Sequence, residues 1–165
     1  MLKVIMRVFL GSISILCLSA LTLSLIVLNP SWSYANQTTI DFVTVHHNLE
    51  LEQETEEVIT EAIAILKTSP LYNKATAIDL CLNDDKIYPN LNQLYGQCLA
   101  FATLNVTTLK NCRVSFKDRL VYTKWAANNL EDRKFNLVNL LAHEFTHNLQ
   151  NQNDFNYVFK STLGK

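Results

Sequence analysis

Hydrophobic residues follow three different patterns along this chain. Residues 8–28, VFLGSISILCLSALTLSLIVL, form an unbroken uncharged run. Beyond Asn48, the stretch LELEQETEEVITEAIAILK places Leu51, Thr55, Val58, Ile59, Ala62, Ile65 and Leu66 at helical spacing. That period predicts an amphipathic helix with Asn48 as its N-cap. Its acids gather in the first half and Lys67 stands at the end, as the helix macrodipole prefers, and Ser69-Pro70 stops it. Residues 135–150 give a second helical period, in which Leu137, Leu141, Phe145 and Leu149 recur every fourth position and Val138 and Ala142 widen the stripe.

Between the two helices the apolar runs shorten to strand length. Residues 75–82 (ATAIDLCL) predict a buried strand, and Asn83-Asp84-Asp85 a turn. Residues 89–95 predict a short helix ended by Gly96. Residues 97–104, 107–112 and 114–123 predict short strands, with turns at Asn105-Val106 and Lys117-Asp118. Residues 36–47 read as a linker or a first strand, residues 125–130 as the start of a helix, and residues 151–165 as a polar, aromatic tail. A helix, several strands and a helix predict an α+β domain, a small mostly antiparallel sheet packed on two long helices.

Charge and composition narrow the class. Lys3 and Arg7 precede the uncharged run, Asn29-Pro30 breaks it, and Ser33-Tyr34-Ala35 fits a small-x-small cleavage site before Asn36. Residues 1–35 therefore read as an export leader and residues 36–165 as one domain. The run exceeds the usual signal-peptide core of about 7–15 residues and reaches the roughly 20 that span a bilayer. Two readings stay open, a cleaved signal peptide and a retained N-terminal membrane anchor. Both leave the positive end in the cytoplasm and the domain outside, whether secreted, periplasmic or anchored facing outward. Removing Lys3 and Arg7 from the count leaves 12 basic against 15 acidic residues and a net charge of −3. That balance argues against a nucleic-acid partner. The acid run near residues 50–57 lacks the spacing and turn glycine of a calcium loop, so it reads as a solvated helix face.

Cys17 lies inside the apolar run, and the domain holds Cys81, Cys98 and Cys112. An odd number in an exported chain suggests one disulfide, either Cys98–Cys112 or Cys81–Cys98, and one thiol. Three small buried apolar residues are the other reading.

The chemistry sits in NLVNLLAHEFTHNLQ. His143 and His147 are four residues apart, so a helix points both rings from one face, one turn apart. That spacing suits one zinc ion at about 2.0–2.1 Å from each ring nitrogen. Glu144 follows the first histidine and stands beside the metal position as a general base, where zinc lowers the pKa of a coordinated water toward about 7. The plainer alternative is two surface histidines on an amphipathic helix.

With this motif the chain resembles the HExxH zincin metallopeptidases. LLAHEFTHNLQ is similar to the active-site helix of small gluzincin-like families, in which an aliphatic pair and Ala precede the motif and Leu-Gln follow it. An acid-rich helix, a Cys-containing strand and further strands upstream extend a weaker likeness over residues 49–150. The resemblance implies a zincin-like N-terminal lobe, His143 and His147 as zinc ligands, Glu144 as catalytic base, and a peptide or protein substrate. It also exposes a departure. Gluzincin-type enzymes take a third ligand from a Glu on a later helix, and no Glu follows Glu144 here. The metzincin pattern wants Gly and His or Asp where this chain has Gln150 and Asn153. Asp154 completes the site, or the third ligand lies in a C-terminal part that this sequence lacks, or the site is degenerate. The functional expectation is an exported zinc peptidase-type domain of weak activity; the alternative is a truncated or degenerate zincin-like module without catalysis.

Other candidates carry less. His46-His47 read as a surface pair whose side chains face opposite sides of an extended segment. Asp79 reads as a hydrogen-bonded polar residue in a strand, and Tyr157 as a packing residue rather than an oxyanion donor. Residues 119–123 are expected at a sheet edge, open to an extended peptide.

Overall fold

The computed structural model describes residues 2–73, 76–82, 100–103, 105–109, 113–123 and 133–163. The first element is helix α1, Leu2–Leu28, followed by one 3-10 turn, Pro30–Trp32. Side-chain placement in α1 is described without interruption over residues 9–25, and its large apolar side chains there are exposed, Phe9, Leu16 and Leu18 among them. Among the described residues no helix is long and apolar enough to cross a membrane.

The stretch that read as linker or strand forms a hairpin, β1 (Asn36–Ile40) and β2 (Val43–His47), paired antiparallel. Asp41 turns it with φ 58, a left-handed conformation that Asp tolerates better than most residues. Helix α2, Gln53–Lys67, comes next, starting later than the sequence suggested. Asn48 is not its cap: the Asn48 side chain accepts a hydrogen bond from the Ala35 backbone N–H at 2.9 Å, and Glu52 occupies the N-cap without a side-chain bond. Thr55, Val58, Ile59, Ala62, Ile63 and Leu66 form the buried stripe, so Ile63 turns inward while Ile65, expected inside, is exposed.

Strand β3, Ile78–Cys81, pairs parallel with β2, so β2, α2 and β3 form a βαβ unit. Strands β4 (Ala100–Thr103) and β5 (Val106–Leu109) pair antiparallel, and β5 lies parallel to β3. The resulting order is β1-β2-β3-β5-β4. The expectation of a mostly antiparallel sheet therefore needs correcting. The sheet is mixed, with parallel pairs at its centre and antiparallel pairs at its edges, because α2 carries the chain back across the sheet before β3 begins. Strands β6 (Arg113–Ser115), β7 (Leu120–Thr123) and β8 (Arg133–Asn136) make a second, antiparallel sheet in the order β6-β7-β8. Strand β7 is its middle strand, bonded on both sides, so residues 119–123 are not the open edge that was expected. The short helix at 89–95 and the helical start at 125–130 lie outside the described residues.

Helix α3, Leu137–Leu163, is the last described element. It begins two residues later than the periodicity indicated, because Phe135 and Asn136 belong to β8. The Asn136 side chain then caps it by accepting from the Asn139 backbone N–H at 2.9 Å. It also runs past Gln150 through the tail. Gln152 donates to the Ala77 carbonyl at 2.7 Å and Asn153 to the Leu71 carbonyl at 3.1 Å, so these polar residues tie the helix to its neighbours instead of ending it.

The core lies between the sheet and the helix pair. Val43, Val45, Ile78, Leu80 and Leu109 face Val58, Ile59, Ala62 and Leu66 of α2 and Leu137, Leu141, Phe145 and Leu149 of α3 in one buried cluster. The other sheet face carries a smaller cluster of Tyr34, Cys81 and Val106. Tyr34 is buried and donates its hydroxyl to the Leu82 carbonyl at 2.6 Å, and Pro30 is buried as well. Cys81 is buried. Cys98 and Cys112 lie outside the described residues.

Candidate functional site

Helix α3 places its apolar stripe against the core and turns the stripe's neighbours outward. At 100° per residue, His143, His147, Gln150 and Asp154 fall within roughly 60° of arc on one face. His143 and His147 are exposed on an unbroken helix, as the spacing predicted, and Leu141, Phe145 and Leu149 are buried behind them. Two depressions adjoin β1, β2 and the start of α2. The two rings are exposed on α3.

The two rings meet edge to face, with centroids 4.6 Å apart and planes at 84°. Their Nε2 atoms approach to 3.1 Å. Two nitrogens at 2.0–2.1 Å from one tetrahedral zinc would stand about 3.3 Å apart. The pair is thus near the separation that two nitrogen ligands of one zinc ion would have.

The hydrogen-bond partners assign the ring protons. His147 Nδ1 lies 3.0 Å from Gln150 Oε1. A carbonyl oxygen only accepts, so Nδ1 donates, and in the neutral ring the Nε2 of His147 holds a lone pair. His143 Nε2 then donates to that lone pair.

Glu144 projects from the same turn but toward the interior and is buried. Burial raises its pKa above the ordinary carboxylate value, and the neighbouring His143 and His147 oppose the rise. A buried carboxylate of raised pKa therefore stands beside the two imidazoles.

What holds this turn in place was missed by sequence reasoning. Asn148 is fully buried, and its side-chain oxygen accepts a hydrogen bond from the Thr107 hydroxyl of β5. This contact fixes the turn carrying His147 to the sheet. A polar residue adjoining the motif on its buried side, 140° round the helix from His143, was the available signal.

Asp154 does not join the two histidines. A third ligand there requires the helix to end after Gln150, and it does not. Seven residues at 1.5 Å each carry Asp154 about 10 Å along the axis from His147. Among the described residues no group of three or more His, Cys, Asp or Glu side chains converges on a metal position.

His46 and His47 do face opposite sides of β2, but neither is a surface residue. His47 donates Nδ1–H to the Leu49 carbonyl at 2.6 Å and accepts at Nε2 from the Thr38 hydroxyl at 2.9 Å. Both ring nitrogens are satisfied, which marks a structural residue. His46 Nε2 lies 2.8 Å from Asp79, whose second oxygen accepts from the Asn105 amide at 2.7 Å. Asp79 is the hydrogen-bonded strand residue that was expected. Among the described residues the buried Nδ1 of His46 has no hydrogen-bond partner. Tyr157 lies in α3, and its side chain lies outside the described residues. The chain matches no protein-family model, and neither a curated protein nor a solved structure matches it.

Proposed function

We propose that this chain is an exported zinc-dependent peptidase-type domain in which His143 and His147 hold the metal and Glu144 is the general base. One observation carries the reading: two exposed Nε2 atoms stand 3.1 Å apart beside a buried carboxylate of raised pKa. The likeness of LLAHEFTHNLQ to gluzincin-like helices supports it. Zinc, when bound there, supplies the polarisation that makes water a nucleophile toward a peptide carbonyl. Glu144 takes the water's proton and returns it to the departing amine. Asn148 and Thr107 keep the turn aligned while this happens.

A non-catalytic exported module is the second reading, favoured by the distance of Asp154 and by the two-histidine donor set among the described residues. Catalytic zinc normally has three protein ligands. Hydrolysis by the chain alone is therefore expected to be weak. The test is cleavage of casein by the purified chain, stripped with a chelator and then resupplied with zinc. Slow hydrolysis that disappears and returns with the metal supports the peptidase reading. Tight zinc binding without any cleavage selects the non-catalytic module.

The leader belongs to the same proposal, in its retained form. Cleavage before Asn36 would remove Tyr34 from Cys81 and Val106 and uncover that cluster. Keeping residues 1–35 leaves the cluster closed. Mass spectrometry of the exported chain is expected to find residues 1–35 attached. A mature N-terminus at Asn36 overturns retention, and a wholly cytosolic tagged chain overturns export.

A further inference from the structure

We infer that Gln150 is a positioning residue for the metal site: its side-chain carbonyl holds His147 in the tautomer that presents Nε2 as a ligand. The inference rests on the zinc reading above and adds a part that the HExxH motif does not contain.

An imidazole binds a metal only through a nitrogen that carries no proton. A neutral histidine in solution exchanges its proton between Nδ1 and Nε2, and only one of the two forms is competent here. Gln150 lies three residues beyond His147, one turn along the same face, and its Oε1 stands 3.0 Å from Nδ1. The acceptor draws the proton to Nδ1 and leaves the Nε2 lone pair aimed at His143. Oε1 bonds the far side of the ring from Nε2, so Gln150 is not a ligand of the same ion. It acts through His147, as outer partners of metal-bound histidines do.

The same geometry makes the two histidines unequal before metal arrives. His147 is already in its binding form. His143 donates Nε2–H across the 3.1 Å contact and must move that proton to Nδ1 to accept zinc. Among the described residues no acceptor does for His143 what Gln150 does for His147.

The test reads the rings directly, in metal-free full-length chain. Long-range proton–nitrogen NMR is expected to show His147 protonated at Nδ1 and His143 at Nε2. Gln150→Leu removes the acceptor without a charge change at an exposed position, and His147 is expected to become a mixture of tautomers. Gln150→Glu keeps an acceptor and is expected to restore the Nδ1–H form. Zinc titrated against a chromogenic chelator should bind roughly 10–100-fold more weakly to Gln150→Leu, with Gln150→Glu recovering most of the loss. A purely structural role would change the melting temperature and leave the tautomer alone. His147 protonated at Nε2 in the parent chain, or an unchanged tautomer in Gln150→Leu, overturns the inference. If the parent chain binds no zinc at all, the peptidase reading falls, while the NMR result still decides what Gln150 does to the ring.

Discussion

Replacing Glu144 with glutamine is expected to reduce zinc-dependent peptide hydrolysis by roughly 100- to 10,000-fold and to leave zinc affinity nearly unchanged. Glutamine keeps the shape of the side chain and cannot take up a proton, so only the general-base step is lost. Because Glu144 is not a ligand, the two imidazoles keep their approach of 3.1 Å. The same substitution carries a pH signature in the metal-free chain. Burial raises the Glu144 pKa in the folded state above its unfolded value. The folded state then binds this proton more tightly, which favours folding below the unfolded pKa and is lost as pH rises through the folded one. Above the folded-state pKa the parent chain keeps a buried carboxylate that Glu144→Gln lacks. The variant is therefore expected to melt higher than the parent at such pH in the presence of a chelator. The gap should close as pH falls below the ordinary glutamate range. Hydrolysis that survives Glu144→Gln, or melting curves that differ equally at all pH values, would remove Glu144 from the base role.

Several parts of this arrangement were legible in the sequence. The i, i+4 spacing of His143 and His147 against the Leu137, Leu141, Phe145 and Leu149 stripe fixed which side of the helix each would take. Apolar run lengths located β3, β4 and β5 to within a few residues. What failed was decided by tertiary contacts. The Asn-rich tail looked like a helix end, but Gln152 and Asn153 bond the carbonyls of Ala77 and Leu71, and the helix continues. Phe135 was assigned to the helix from its apolar character, whereas pairing with Val121 puts it in β8. The parallel centre of the sheet was hidden for a related reason, since a short apolar run does not reveal the direction of its partner. His46 looked exposed beside His47. Its burial depends on Tyr34, from the break after the leader, and on Asp79, 33 residues away. Asn148 was overlooked because its partner Thr107 is 41 residues distant.

Removing either imidazole should have the largest effect on the metal. Structural zinc sites of four ligands bind with about 10–16 kcal/mol, which is about 2.5–4 kcal/mol for each ligand. At 1.4 kcal/mol per factor of ten, His143→Ala or His147→Ala should each weaken zinc binding by roughly 100- to 1,000-fold. The double variant should bind no zinc that competes with a chelator. Both side chains are exposed and neither belongs to the core cluster, so the melting temperature of the metal-free chain should barely move. That separation matters, because a lost metal site is otherwise hard to tell from a lost fold. Of the two, His147→Ala also strands the Gln150 carbonyl, but in water that acceptor finds a new partner, so the two single variants should fall close together. The measurement is chelator competition on the parent and all three variants, with circular dichroism melting of the same samples. Undiminished zinc affinity in the double variant would place the metal elsewhere. The histidines of α3 would then be two surface residues that happen to touch.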